Sequence, residues 1–123
     1  EDPIDPDFVY EFVKGTLAQD VPQVFLKTMI KENLKVPARV WKASFRGLLE
    51  DDSSDKLNKI TAPTLIIWGK KDETIPRSDQ ETLLNRIPDS RLVVYPNAGH
   101  ALYWEEPAKF ASDIVAFIED LDR

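Results

Sequence analysis

The sequence runs to 123 residues, 42% of them hydrophobic and 10% aromatic, which is enough apolar side chain for one globular core. Its net charge of -6 and scattered Lys and Arg exclude the basic face of a nucleic-acid binder, because that affinity comes from cations that displace counterions from phosphates. The absence of cysteine excludes disulfides, thiolate metal sites and a cysteine nucleophile, and no apolar run reaches the roughly 18 residues of a membrane span, so a soluble, cytoplasmic protein is expected.

The chain opens on a proline-spaced acidic stretch, Glu1-Asp2-Pro3-Ile4-Asp5-Pro6. Phe8, Val9, Phe12, Val13 and Leu17 then recur at helical spacing and predict an amphipathic helix, weakened at Gly15. Pro22 suits the first turn of a second helix, where a ring without an N–H loses nothing, and Val21, Val24, Phe25, Thr28 and Met29 form its stripe. Pro37 opens a third, with Val40, Trp41, Ser44, Phe45, Leu48 and Leu49 on one face. An acidic break, Asp51-Asp52-Ser53-Ser54-Asp55, follows, and Ser54 or Asp55 can cap a short turn carrying Leu57 and Ile60. The predicted internal boundary lies just beyond it, with residues 1–60 a helical segment and linker and residues 61–123 a β-α-β-α unit.

From Thr61 the texture changes. Ala62-Pro63 leads into Thr64-Leu65-Ile66-Ile67-Trp68, apolar without alternation, as a strand buried on both faces of a parallel sheet must be. The turn Gly69-Lys70-Lys71-Asp72 comes next. Ser78 and Glu81 have the spacing of a capping box, and the helix they would open buries Leu83, Leu84 and Ile87 and stops at Pro88. Arg91 to Tyr95 is a second strand, Pro96-Asn97-Ala98-Gly99 a turn, and Pro107 the start of a last helix with Phe110, Ile114, Phe117, Ile118 and Leu121 in phase. Glu105 and Glu106 sit where a helix N-terminus favours negative charge. Trp41 and Trp68 fall on in-phase apolar positions and are expected in the core.

Two strands joined through a helix run parallel, with a right-handed crossover. Asp72 and the single histidine, His100, therefore leave the same carboxyl edge of the sheet, where strands about 4.8 Å apart let two loops bring side chains together. A carboxylate that accepts from one ring nitrogen fixes the tautomer of a histidine and leaves the other nitrogen free as a base. Asp72 would orient and His100 would take the proton. A turn histidine with no chemistry remains an open alternative at this level. A metal is not expected, since one histidine and one aspartate fall short of three or four ligands.

The run Ala62 to Asp72, then Ile87-Pro88, Leu92-Val93-Val94-Tyr95, Ala98-Gly99-His100 and Glu106-Pro107 together resemble the C-terminal third of the α/β-hydrolase superfamily. In that family the triad acid follows the seventh strand in a Gly-x-x-Asp turn and the triad histidine follows the eighth in a Gly-His turn. The resemblance implies an α/β fold in which residues 1–60 are lid helices and residues 61–123 the last two strands with their helices. It implies that Asp72 is the triad acid and His100 the triad histidine. It also implies that Ile75, Leu102 and Trp104 beside them face a small apolar substrate, with no cofactor and no metal.

The family's nucleophile lies upstream on a G-x-S-x-G elbow, with an oxyanion hole built partly from an earlier loop. No such elbow occurs here: Ser44, Ser53, Ser54, Ser78, Ser90 and Ser112 all lack the flanking glycines. Because nucleophile, acid and histidine follow in that order along the family's chain, these residues are expected to be a piece of a longer hydrolase, inactive by themselves. The parent would cleave a small apolar ester or related bond through serine, or through aspartate as in dehalogenases and epoxide hydrolases. A strand without its upstream neighbour keeps a free edge, and a two-stranded sheet rarely stands alone. A homo-oligomer formed through that edge or through the lid is therefore expected. The competing reading is a non-catalytic binding or scaffold module that keeps the hydrolase turns as structure only.

Overall fold

The structure, a computed structural model, describes residues 2–123. The chain forms two compact units, one made of the residues up to Gly15 together with Val21–Ser54, the other of Thr16–Asp20 together with Asp55–Arg123. The segment Thr16–Asp20, expected to go with the preceding helices, instead packs with the β-containing unit.

The first unit holds α1 (Pro6–Gly15), α2 (Gln23–Asn33) and α3 (Ala38–Glu50). Pro22 and Pro37 stand immediately before α2 and α3 as N-cap residues, Pro37 in an extended conformation, with no side-chain cap on either. Phe8, Phe12, Trp41 and Phe45 form a ring cluster between α1 and α3, with centroids 5.1 to 6.1 Å apart and mostly edge-to-face, the geometry that ring quadrupoles favour. Trp41, expected in the core, is only half-buried, although its Nε1 is buried without a hydrogen-bond partner.

Besides Thr16–Asp20, the second unit holds most of a short 3-10 helix, Ser54–Lys59, whose first residue belongs to the first unit, followed by β1 (Thr64–Gly69), α4 (Arg77–Arg86), β2 (Ser90–Tyr95), α5 (Leu102–Glu105) and α6 (Pro107–Leu121). β1 and β2 pair in parallel, in register from Thr64 opposite Ser90 to Gly69 opposite Tyr95, so the crossover runs through α4 as expected. Each strand is one residue longer than its apolar run, taking in Gly69 and Ser90. The capping box does not form. Pro76, extended at φ -74 and ψ 163, is the N-cap residue of α4, which puts Ser78 inside the first turn, where its hydroxyl cannot reach an unpaired amide. Glu81 instead pairs with Arg77 at 3.0 Å. At the other end Ser90 Oγ donates towards the carbonyls of Leu84 and Ile87 at 3.1 and 2.9 Å, serving groups that a helix C-terminus leaves unpaired.

The core of this unit is Tyr95, Ala98 and Leu102, with Ile67, Val93 and Phe110 packed against them. The Tyr95 hydroxyl donates to Asp113 Oδ2. Lys109 Nζ pairs with the same oxygen at 2.9 Å and lies 3.8 Å from the centre of the Tyr95 ring. Burial and then the Asp113 acceptor push the Tyr95 phenol up, while the bonds from Tyr95 and Lys109 hold the Asp113 carboxyl below its ordinary range. A phenol raised by folding contributes stability that is present below about pH 10, the unfolded value, and lost as the pH rises beyond it. A carboxylate lowered by folding contributes stability that is present above 3.8 and lost as the pH falls through its folded value. Tyr95→Phe is therefore expected to cost about 1 kcal/mol near neutrality, with the gap to the unsubstituted chain narrowing at both pH extremes. Urea midpoints across the pH range measure it.

Among the described residues no helix is long and apolar enough to cross a membrane, and no group of His, Asp and Glu side chains is placed to hold a metal ion.

Candidate functional site

The turns that follow β1 and β2 are laced together by their backbones. Lys70 N donates across to Tyr95 O and Lys71 N to Ala98 O, while Asp72 N closes its own turn on Gly69 O, each at 2.9 Å. This lacing needs glycine at position 69, since a Cβ there would lie 2.2 Å from Gly99 O and 2.5 Å from Ala98 O. Two turns in van der Waals contact at their backbones deliver their side chains to one place, and the side chains so delivered are Asp72 and His100.

The Asp72 side chain is 5% exposed and that of His100 38%. Asp72 Oδ1 accepts from Thr74 N at 2.7 Å and from Ile75 N at 3.0 Å. With one oxygen held by two amides, the other is aimed at the ring, and His100 Nδ1 lies 3.0 Å from Asp72 Oδ2. An ionised carboxylate can only accept, so Nδ1 carries the proton and Nε2 presents its lone pair. Such an imidazole is a base in the right tautomer, and the cation it becomes sits beside a fixed negative charge. Trp68 supports the acid's loop from below: it is 6% exposed, and its Nε1 donates to Ile75 O at 3.0 Å. The sequence placed Trp68 in the core but did not reveal that second task.

The residues expected to face substrate divide three ways. Ile75 sits on the acid's loop and is 37% exposed. Trp104 is half-buried in α5, edge-on to Tyr103 at 5.3 Å between centroids. Leu102, in α5, is 4% exposed and packs in the core with Tyr95 and Ala98. Of the serines in this unit, Ser78 and Ser112 lie within α4 and α6, and Ser90 is engaged by the carbonyls of Leu84 and Ile87. None is paired with His100.

Glu105 was read from sequence only as charge near a helix start. Its Oε2 accepts from Gly99 N at 2.9 Å, and its Oε1 from Gln19 N at 2.7 Å and Ala18 N at 3.3 Å. Glu106 Oε2 accepts from Gln19 Nε2 at 2.9 Å, and Ala101 N donates to Thr16 O at 2.9 Å. These bonds bring Thr16–Asp20 against the histidine's turn. A Cβ on Gly99 would meet Ala18 N at 2.9 Å and Thr16 O at 3.0 Å, so that glycine too is required by close approach. The nearest sequence signal was the Glu105-Glu106-Pro107 string, which gives no pointer to partners so far back in the chain.

Known proteins resemble the chain over most of its length. The sequence profile of a family described as alpha/beta hydrolase fold matches residues 26–107. A monoacylglycerol lipase, abhd6-A, of Xenopus laevis is 31% identical over 114 residues, which cover 89% of this chain and 32% of the lipase. The 2-hydroxy-6-oxononadienedioate/2-hydroxy-6-oxononatrienedioate hydrolase 2 of Pseudomonas putida is 30% identical over 112 residues, covering 91% of this chain and 38% of that hydrolase. Among solved structures, an esterase from Exiguobacterium antarcticum superposes with a TM-score of 0.87 at 28% identity, over 93% of this chain and 42% of the esterase. The chain thus spans roughly a third of the length of the curated relatives it matches.

Proposed function

Since the chain belongs to the alpha/beta hydrolase fold family, we propose that Asp72 and His100 serve as the acid and the general base of a hydrolase that cleaves a small apolar carboxylic ester by acyl transfer. The observation that carries this reading is the 3.0 Å approach of His100 Nδ1 to a carboxylate whose other oxygen is held by two backbone amides. In the proposed reaction His100 Nε2 takes the proton of a nucleophilic hydroxyl as it attacks the ester carbon. The imidazolium, stabilised by Asp72, then returns that proton to the departing alcohol. Hydrolysis of the acyl-enzyme repeats the cycle with water as the attacking group. The nucleophile is not among these residues, which lack a G-x-S-x-G elbow.

Support for an ester comes from the relatives: one is named a monoacylglycerol lipase and one an esterase. Ile75 and Trp104 would supply apolar contact to the substrate. As a separate chain, the unit leaves the outer edge of β1 without a strand among the described residues, and we expect copies to associate through it.

A chimera tests the proposal. This chain replaces the matched 42% of the Exiguobacterium esterase, and a nitrophenyl ester reports turnover. The folded chimera is expected to hydrolyse the ester and the 123-residue chain alone to be silent. A cooperatively melting but inactive chimera, or turnover by the chain alone that a serine-directed inhibitor blocks, would sink the proposal.

A further inference from the structure

We propose that Glu105 is the positioning residue for His100, its carboxylate setting the backbone from which the imidazole reaches Asp72. This rests on the reading of His100 as the base and adds to it the group that keeps the base in place. Gly99 is the residue before His100 and Ala101 the residue after. The Gly99 amide is held by Glu105 Oε2 at 2.9 Å, and the Ala101 amide by Thr16 O at 2.9 Å. Glu105 Oε1 in turn grips the amides of Gln19 and Ala18 at 2.7 and 3.3 Å. The backbone on both sides of His100 is thus moored to the segment Thr16–Gln19, on one side directly and on the other through a single carboxylate.

A carboxylate suits this task because both oxygens accept and neither donates, so one side chain can bridge amide groups from two separate segments with charge-assisted bonds. An amide in its place can accept on one side only. On the other, its NH2 would oppose a backbone N–H. Glu105→Gln therefore keeps volume and shape while breaking one of the two moorings. With the Gly99 N–H no longer held by a carboxylate, its peptide keeps only the bond from Lys71 N to Ala98 O at 2.9 Å, so the imidazole is held less firmly at 3.0 Å from Asp72 Oδ2 and the bias that keeps the proton on Nδ1 weakens. A residue that merely added stability would lower the melting temperature and leave the tautomer of the folded state unchanged.

His100 is the only histidine, so the ring-nitrogen shifts of the whole chain, read through the carbon-bound ring protons by NMR, report this imidazole without assignment. In the unsubstituted chain the neutral ring is expected to show the Nδ1–H pattern. Glu105→Gln should convert most of it to the Nε2–H pattern with the cooperative melt retained. Glu106→Ala, which removes only the tie to the Gln19 side chain, should leave it as it was. Asp72→Asn, which turns a donor towards Nδ1, should invert it. A tautomer unchanged in Glu105→Gln but inverted in Asp72→Asn overturns the role of Glu105 alone. A tautomer unchanged in Asp72→Asn overturns the pair itself and the proposal with it. Should Glu105→Gln fail to fold, amide exchange in the unsubstituted chain decides: slow exchange of the Gly99 and Gln19 amides supports the mooring, and exchange at the rate of open loops overturns it.

Discussion

In the chimera, His100→Ala is expected to lower kcat by about 10^5- to 10^6-fold and Asp72→Asn by about 10^4-fold, with KM nearly unchanged in both. The two losses differ in origin. Removing the imidazole removes the group proposed to take the nucleophile's proton, leaving binding and any oxyanion donors to act alone. Asp72→Asn leaves the imidazole in place but in the wrong form. The new amide oxygen still accepts from Thr74 N and Ile75 N, as Asp72 Oδ1 does at 2.7 and 3.0 Å, so the NH2 group must face His100. Nδ1 then accepts instead of donating, the proton moves to Nε2, and the base is blocked where the nucleophile needs it. In the proposed reaction both groups act as charge develops, so the loss is expected in kcat. Steady-state kinetics on one ester separates the cases, and a loss below about tenfold for Asp72→Asn, about 1.4 kcal/mol, would remove the acid from the mechanism.

How far this pair could be read in advance depends on which physics governs each residue. The two strands announced themselves because a strand buried on both faces has to be continuously apolar, and a helix between them forces parallel pairing. From there the common edge for Asp72 and His100 was a matter of topology, and the structure puts Nδ1 and Oδ2 within 3.0 Å. Local rules failed where a second constraint overrode them. Ser78 and Glu81 have capping-box spacing, yet Pro76 starts the helix earlier, and the ion pair of Glu81 with Arg77 takes its place. Leu102 follows the histidine's turn closely enough to suggest contact with substrate. It packs in the core, on a one-turn helix too short to leave a periodic signal. Glu105 and the segment Thr16–Asp20 were out of reach altogether, because a carboxylate that pairs with backbone amides needs nothing in particular from the side chains of its partners.

Gly69→Ala is expected to be the most damaging single-methyl substitution in the β-containing unit. No glycine among the described residues has a positive φ, so alanine meets no backbone penalty at position 69 and the whole effect is steric. The new Cβ would stand 2.2 Å from Gly99 O and 2.5 Å from Ala98 O, and backbone carbonyls cannot swing aside as a flexible side chain would. The turns must part, and the bond from Lys71 N to Ala98 O, 2.9 Å, parts with them. Overpacking of this kind costs about 1–3 kcal/mol or more, which for a unit of this size lowers the melting temperature by about 4–8 °C per kcal/mol. Gly47→Ala is the control. Nothing lies within 4 Å of its would-be Cβ, and alanine is favoured over glycine within a helix by about 1 kcal/mol, so stability should hold or rise. Because the parted turns are the ones that carry Asp72 and His100, Gly69→Ala should also lower kcat in the folded chimera. A variant that melts where the parent does and keeps full turnover would mean that the backbone contact between the two turns does not set the distance between the two side chains.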